Sequence, residues 1–435
     1  MKRVFALLLA ICMILSLAAC SKTSSQTPDT AAAGNNESTA SSNGEAPSAS
    51  EEPIEISFVA AQYSDNTEPY LSALCAAYEA EHPGVKIKLE VVAWADMAVK
   101  WNTMISTNQA PDILNEGAYS AFVADELLLP ANAWISDELK ADFFPSFYNY
   151  NTAADGEIYA IPLLASVRSL YYSPELLSGA GVDKVPETWA EVTEACKKIK
   201  EAYDGSVYGF GLDFTTASGQ ENFNYFIWNN GSDYLENGKW AVNSPKNVEA
   251  LQWAVDLYNA GYTNPNPALE ARDDCQKMFA EGKMAMLISA NFFPGLYPDV
   301  EMGVAPIPHN DGCESVAMGV QDLLMVFDNN DSEEKLAAIR DFMDYFYAPE
   351  NYTKFMTNES MLPATLSGAE YLAAEDESQA TYIGILESAR FIPSSEVLWD
   401  DCKVAVREAM QLALTGDLTV QEALDNAQKT LDDAQ

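Results

Sequence analysis

Five side chains able to hold a small polar molecule sit just past three short apolar runs. They are Gln62 and Tyr63, then Trp94, then Asn115 and Glu116. Amide, phenol, indole and carboxylate groups gathered in one place hydrogen-bond polar edges and stack on apolar faces. The chain offers much less to catalysis. It has no GxSxG, no HExxH and no phosphate-binding glycine loop. His82 and His309 are its 2 histidines, and its 7 cysteines show no CxxC spacing, so a zinc site has little support. Acids number 65 against 24 Lys and Arg, too many for a count to single out a catalytic carboxylate pair. The expectation is a binding site with no catalytic residue, no metal and no cofactor.

Alternating strands and helices must position these five residues. Ile54 to Val59 alternates as a strand. Pro69 to Glu81 has helical spacing at Leu71, Leu74, Cys75 and Tyr78, and His82-Pro83-Gly84 stops it. Val85 to Val92 reads as a strand, Met97 to Thr107 as a helix, and Pro111 to Leu114 as a third strand. Strand–helix–strand units imply a mainly parallel sheet, which binds ligands beyond the carboxyl ends of its strands. Each candidate also has a packing alternative. Trp94 can plug a helix start, Asn115 and Glu116 can cap the following helix, and Tyr63 can pack in the core.

The stretch from Gly156 to Val192 carries the main organisational signal. Ile158 to Leu164 and Val167 to Tyr172 are apolar, and Pro162 interrupts them. A proline cannot donate to a sheet ladder, so the run is expected to leave one sheet and enter another near it. Ser173-Pro174 then opens a short helix, with Gly179 and Gly181 able to end it. Pro186 and the box Thr188-x-x-Glu191 open the next. Further on, helices are expected at Gly219 to Gly231, Lys246 to Ala260 and Asp274 to Glu281. Strands are expected at Val207 to Phe210, Met284 to Ser289, Met302 to Ile307 and Ala317 to Phe327. Glu333 to Phe355 reads as one or two helices opened by Asp331-x-x-Glu334. Asp401 to Leu414 is helical with Gly416 as its stop, and Thr419-x-x-Glu422 opens the last helix.

At 435 residues and 48% hydrophobic, the chain can bury two cores. Its net charge of −41 argues against nucleic acid and anionic lipid as partners. Lys2 and Arg3 precede an apolar run, Val4 to Leu17, too short to span a bilayer. The run ends Leu17-Ala18-Ala19-Cys20, which resembles a bacterial lipobox. The resemblance implies removal of residues 1–19 and lipid attachment at Cys20. Residues 20–53, rich in Ser, Thr, Ala and Asn, read as a disordered tether. The later cysteines are Cys75, Cys196, Cys275, Cys313 and Cys402. Their number is odd, so at least one is unpaired, and small buried hydrophobes is the simpler reading.

Several segments together resemble the family 1 extracellular solute-binding proteins of ABC importers, to which maltose-binding protein belongs. They are Tyr159-Ala160-Ile161-Pro162, Leu170-Tyr171-Tyr172, Leu176-Leu177, Ala180-Gly181-Val182 and Pro186-Glu187-Thr188-Trp189. Trp228 to Gly231, Phe279 to Met286 and Gly416 to Leu424 follow in the family's order. The resemblance implies an α/β, two-lobed periplasmic-binding-protein fold with three interlobe crossings and a ligand cleft. The crossings are expected near Leu164–Arg168, Val316–Gln321 and Thr357–Pro363. The lobes are then 54–164 plus 321–357, and 168–316 plus 363–435. The implied role is hinge-closing capture of a mono- or oligosaccharide by a monomer that is tethered to the membrane through Cys20 and passes the solute to an ABC permease. A peptide, polyamine or other cationic solute is the alternative within the fold, and a carbohydrate-active enzyme the alternative outside it.

The resemblance also adds site candidates. Phe292 falls where maltose-binding protein has a stacking tryptophan. Ser166 falls where it has an acidic contact, so maltodextrin specificity is in doubt, and Arg168 can supply the polar contact instead. Gln321 and Asp322 lie at a crossing, as site or hinge. Trp399 stands where relatives often place a ligand-facing aromatic, with packing as its alternative.

Overall fold

The computed structural model describes residues 53–376, 379–394, 396 and 398–434. The expected signal 1–19, the lipid site Cys20 and the tether up to residue 52 lie outside the described residues. The chain begins β1 (Ile54–Gln62), α1 (Thr67–Glu81), β2 (Val85–Ala93), α2 (Trp94–Ser106) and β3 (Ile113–Glu116). Three short helices follow, α3 (Ser120–Ala124), α4 (Asp137–Asp142) and α5 (Pro145–Tyr150), and then β4 (Ala160–Tyr172). The middle holds α6 (Pro174–Gly179), α7 (Trp189–Ala202), β5 (Tyr208–Phe210), α8 (Gly219–Trp228), β6 (Leu235–Glu236), β7 (Lys239–Trp240) and α9 (Pro245–Asn259). Next come α10 (Arg272–Ala280), β8 (Met284–Ala290), α11 (Phe293–Leu296), β9 (Gly303–Ala305) and β10 (Gly319–Val326). Six helices close the chain: α12 (Glu333–Tyr347), α13 (Pro349–Asn358), α14 (Leu366–Glu375), α15 (Ala380–Glu387), α16 (Trp399–Thr415) and α17 (Val420–Ala434).

Local sequence explains most helix ends. Ser173 accepts from the Leu176 N–H ahead of Pro174. Thr188 and Glu191 form a complete capping box, as do Thr419 and Glu422. Gly416 ends α16 at φ 75°, a conformation that favours glycine. One cap differs from expectation. Ser332, not Asp331, caps α12 by accepting from Lys335 N–H. Asp331 instead pairs with the Lys335 ammonium at 3.2 Å.

The main sheet runs β2-β1-β3-β10-β4-β8-β5. β1 is parallel to both β2 and β3, as the strand–helix alternation predicts. β10 is antiparallel to β3 and to β4. Pro162 does not break the run: β4 is one continuous strand of 13 residues. The missing N–H is absorbed by a bulge beside it: Leu323 faces Pro162 and Asp322 faces Leu164, so Leu163 is the extra residue of β4. The Pro162 carbonyl is still used, accepting from Tyr347 O–H at 2.7 Å. The change of partner comes five residues later. β4 pairs with β10 as far as Val167, and with β8 from Arg168 onward.

Three chain segments therefore lie side by side at this point. Gly319 pairs with Val167, and the Arg168 N–H donates to the Met318 carbonyl at 3.0 Å. On the other edge of β4, Ala165 and Leu362 exchange backbone bonds of 2.8 and 2.9 Å. Strand side chains alternate between faces. Ala165, Val167 and Tyr171 point into a first core that includes Phe58, Tyr78, Phe342, Tyr352 and also Tyr382 and Ile385 of α15. Ser166, Arg168 and, across the ladder, Val320 and Asp322 take the other face. Leu170 belongs to a second core, with Phe210, Phe223, Trp228, Leu251 and Leu424.

The two cores and the narrow strand layer between them generate a stability prediction. A Cβ on Gly319 would come within 2.8 Å of the Phe391 ring. That ring cannot yield, being stacked on Tyr150 and set edge-on to Phe147. Gly319→Ala should therefore cost about 1–3 kcal/mol of overpacking. Urea unfolding measures this; an unchanged midpoint would mean that the layer is loose.

Candidate functional site

Because α15 covers one face of the crossing strands, a cleft is left to the face that carries Ser166, Arg168, Val320 and Asp322. Ser166 is buried and donates to Asn291 Oδ1 at 2.7 Å. The same oxygen accepts from Val167 N–H at 3.3 Å, and Asn291 Nδ2 donates to the Ser360 carbonyl at 2.9 Å. One amide at the exit of β8 thus ties β4 to the segment before Leu362. Its neighbour Phe292 is half-buried, while Phe293 is wholly buried and sets its ring edge-on to Tyr171.

Arg168 is 7% exposed and aims along β4 at Glu221 of α8. Three donors converge on the single oxygen Glu221 Oε2: Arg168 Nε at 3.2 Å, Arg272 Nη1 at 2.9 Å and Tyr225 O–H at 2.8 Å. Burial alone would raise the Glu221 carboxyl. The charges of Arg168 and Arg272 outweigh it and hold the group below the usual carboxylate range. Glu221, Arg272 and Asn291 had no local sequence signal, since each meets its partner from more than fifty residues away.

The strand ends of β1 to β3 form the facing wall. Asn115 is fully buried and committed. It accepts from Ala61 N–H at 3.0 Å and Tyr63 O–H at 3.1 Å, and donates to the Leu323 carbonyl at 3.1 Å. It staples β1, β3 and β10 together. Glu116 accepts from Trp101 Nε1 and from the Gly117 N–H. Tyr63 sits edge-on to Trp94, with ring centres 5.8 Å apart. Trp94 is 38% exposed and presents a free aromatic surface, and Gln62 is exposed beside it. Asp322 bonds to the Tyr63 hydroxyl, and burial, with some help from the Glu116 charge, pushes its carboxyl up to about 6.

At the open edge of β10 lies a cavity of about 300 Å³ lined by Tyr119, Ser120, Tyr150, Met318, Gln321 and Phe391. Gln321 is buried; its Nε2 donates to Asn151 Oδ1 at 2.8 Å and its Oε1 has no partner. The amide orientation is fixed, because Asn151 spends its own N–H on the Phe147 carbonyl. Trp399 lies apart from this group. It is 4% exposed in the second core, edge-on to Tyr234 at 5.1 Å. A larger cavity of about 770 Å³ beyond the Leu362 edge, near Met302, Lys354 and Tyr371, contains none of the residues singled out from the sequence.

The model of a family described as bacterial extracellular solute-binding protein matches residues 63–353. A binding protein of Brucella abortus (strain 2308) is 30% identical over 370 residues, covering 83% of this chain and 89% of that protein. The sn-glycerol-3-phosphate-binding periplasmic protein of the same strain is 28% identical over 315 residues, covering 67% and 70%. The crystal structure of the cyclic alpha-maltosyl-1,6-maltose binding protein from Arthrobacter globiformis matches with a TM-score of 0.75. It is 23% identical and covers 88% of this chain and 98% of its own. The sugar-binding protein MalE from Xanthomonas citri matches with a TM-score of 0.74 at 20% identity, covering 87% and 96%. These structures set the fold as two-lobed, mixed α/β and maltose-binding-protein-like.

Two predictions follow from the charges. Glu221→Gln leaves two buried guanidinium groups facing each other and should cost about 3 kcal/mol in urea unfolding; a loss below about 1 kcal/mol would mean that water already screens the cluster. The Asp322 carboxyl is raised in the folded chain, so the native state binds more protons than the unfolded one between about pH 4 and 6. Its contribution to stability falls as pH rises through that window. The advantage of Asp322→Asn over the wild type should then grow by about 2 kcal/mol between pH 4.5 and pH 7.5. A gap independent of pH would show that Asp322 is not held out of water.

Proposed function

Because the chain belongs to the bacterial extracellular solute-binding protein family, we propose that it captures a mono- or oligosaccharide between its lobes and delivers it to the membrane subunits of an ABC importer. The observation that carries this reading is the polar, partly exposed face of the crossing strands. Aromatic surface from Trp94, Tyr63 and Phe292 lies beside it, with Asp322 and Glu116 as hydrogen-bond acceptors. A sugar ring offers apolar C–H faces to such plates and hydroxyl edges to such acids. The names of the structural neighbours, which bind maltosyl-maltose and sugars, point the same way.

The proposed lobes are 54–164 plus 321–357, and 168–316 plus 363–435. α14 and α15 lie within the second range yet pack into the first core, so this segment touches both lobes at the back of the hinge. Closure of the lobes around the solute supplies contacts from both walls, and that differential affinity shifts open to closed. Within this reading Gln62, Tyr63, Trp94, Glu116, Arg168 and Phe292 belong to the site or its immediate support, while Gln321, opposite Ala165, lines the separate cavity beside β10. Ser166 and Asn115 position the backbone, and Trp399 supports the second core. Outside the cytoplasm, the protein is held as a monomer on the membrane by lipid at Cys20. It acts by binding, without catalysis.

A thermal-shift screen over mono- and oligosaccharides tests the proposal. A solute at 100 times its dissociation constant should add about 2.7 kcal/mol. If no carbohydrate moves the melting temperature while a peptide or polyamine does, the solute class is wrong and the fold is used otherwise.

A further inference from the structure

The first wall carries more negative charge than the protein neutralises. Asp322 and Glu116 act on one another across the Gly117 turn, where a Cβ would lie 3.6 Å from Asp322 Oδ1. Glu359, just before the Leu362 crossing, is a third acid close enough for its charge to act on the Tyr63 phenol. It is 6% exposed. Its Oε1 accepts from Thr67 O–H at 2.9 Å, at the start of α1, while its Oε2 is buried without any partner. Among the described residues, no Lys, Arg or His lies within 4.0 Å of these three carboxylates. The two guanidinium groups of the opposite wall are held by Glu221.

A buried carboxylate oxygen with no donor costs free energy until a donor arrives. Glu116 is satisfied by Trp101 and the Gly117 N–H, so the unmet hydrogen-bond demand rests on Glu359 Oε2, with Asp322, bonded to the Tyr63 hydroxyl, as a second carboxylate without a cation. Both flank Tyr63, whose ring meets Trp94 edge-on. Aromatic faces beside carboxylates favour an organic cation, through the ring quadrupole as well as the charge. Among the described residues no three acids, histidines or cysteines converge closely enough to chelate a metal ion.

We infer that the solute carries a protonated amine, and that this ammonium is received on the first wall between Asp322 and Glu359, beside the Tyr63 and Trp94 rings. The inference rests on the reading of the cleft as a carbohydrate site and names the solute class within it: an amino sugar rather than a neutral or phosphorylated one. The ammonium donates up to three hydrogen bonds, to Glu359 Oε2 and to Asp322. The hydroxyl-bearing remainder extends toward Phe292 and the Arg168 wall. A phosphate would meet like charge at the first wall.

Titration calorimetry on the purified protein at pH 7.5 tests this with five probes. They are the β-1,4-linked glucosamine disaccharide, its N-acetylated form, cellobiose, spermidine and sn-glycerol 3-phosphate. The glucosamine disaccharide should bind at least tenfold more tightly than its N-acetylated form and than cellobiose. Asp322→Asn and Glu359→Gln should each erase that preference, and Glu359→Gln should do so while changing cellobiose affinity less than twofold. Asp322→Asn guards against a folding artefact, since it should be at least as stable as the wild type. Tight binding of spermidine alone would support the ammonium site and overturn the carbohydrate reading. Equal or tighter binding of cellobiose, or of the N-acetylated form, would overturn the ammonium site and leave the carbohydrate reading standing. Preference for sn-glycerol 3-phosphate, or binding of none of the five, would overturn both.

Discussion

The passage of three chain segments through one narrow layer is the constraint on which the rest of the structure depends. The backbone of Ala165 bonds to Leu362 on one side, and β10 lies along β4 on the other. Any residue in this layer has only two directions available. One leads into the first core beneath α15, and the other into the space between the walls. That restriction sorts the layer chemically. Ala165, Val167 and Gly319 are small or apolar because Tyr382, Ala389 and Phe391 press on them. Ser166, Arg168 and Asp322 are polar because their face meets polar partners: Asn291, Glu221 of α8 and the Tyr63 hydroxyl. A strand that serves two cores cannot bend freely, and the register shift opposite Pro162 supplies local slack without ending the strand.

The two walls solve the problem of buried charge in opposite ways. On the second, Glu221 sits between Arg168 and Arg272, and Tyr225 also donates to its Oε2. In that cluster the charges are paired within the protein, with Arg272 Nε alone left without a partner; it orients β4 against α8 and α10. On the first, Asn115 satisfies the backbone of β1 and β10, but Glu359 Oε2 is left without a donor and burial raises the Asp322 carboxyl. Stability alone would favour replacing them with neutral groups. Sequences depart from local optimality where function requires it, and this wall departs in the way a donor-bearing solute would correct.

How much of this could be read in the sequence depends on the range of the interaction. β1, β2, α7, α9 and the end of α16 are legible because their signals are local: alternation, a Thr-x-x-Glu box, a Ser-Pro start and Gly416 at positive φ. The resemblance of the stretch around Tyr159 to Trp189 carried the two-lobed fold, which spacing alone did not contain. Pro162 does not end the strand, and the change of partner comes only at Arg168; the bulge at Leu163 shows only once the register with β10 is known. The candidate residues past β1 to β3 come from sheet geometry. Trp94 and Tyr63 remain presented there, whereas Asn115 proves to be a staple. Trp399 carries an aromatic ring whichever way it points, and only packing against Tyr234 reveals that it points inward. Glu221, Arg272 and Glu359 come from elements without a motif, and only the fold gathers them.

Selectivity in such a cleft comes from a difference between states rather than from contact count. While the cleft is empty, Asp322 is ionised at neutral pH against the preference of its surroundings, and Glu359 Oε2 lacks a partner. A solute that brings donors relieves both, so part of its binding free energy is strain removed from the protein. A solute that brings only acceptors leaves the strain in place and adds repulsion. The discrimination therefore needs no clash and no tight shape match. It follows from leaving two carboxylates without a cation, one of them with an unpartnered oxygen, on a wall whose backbone Asn115 has already tied together.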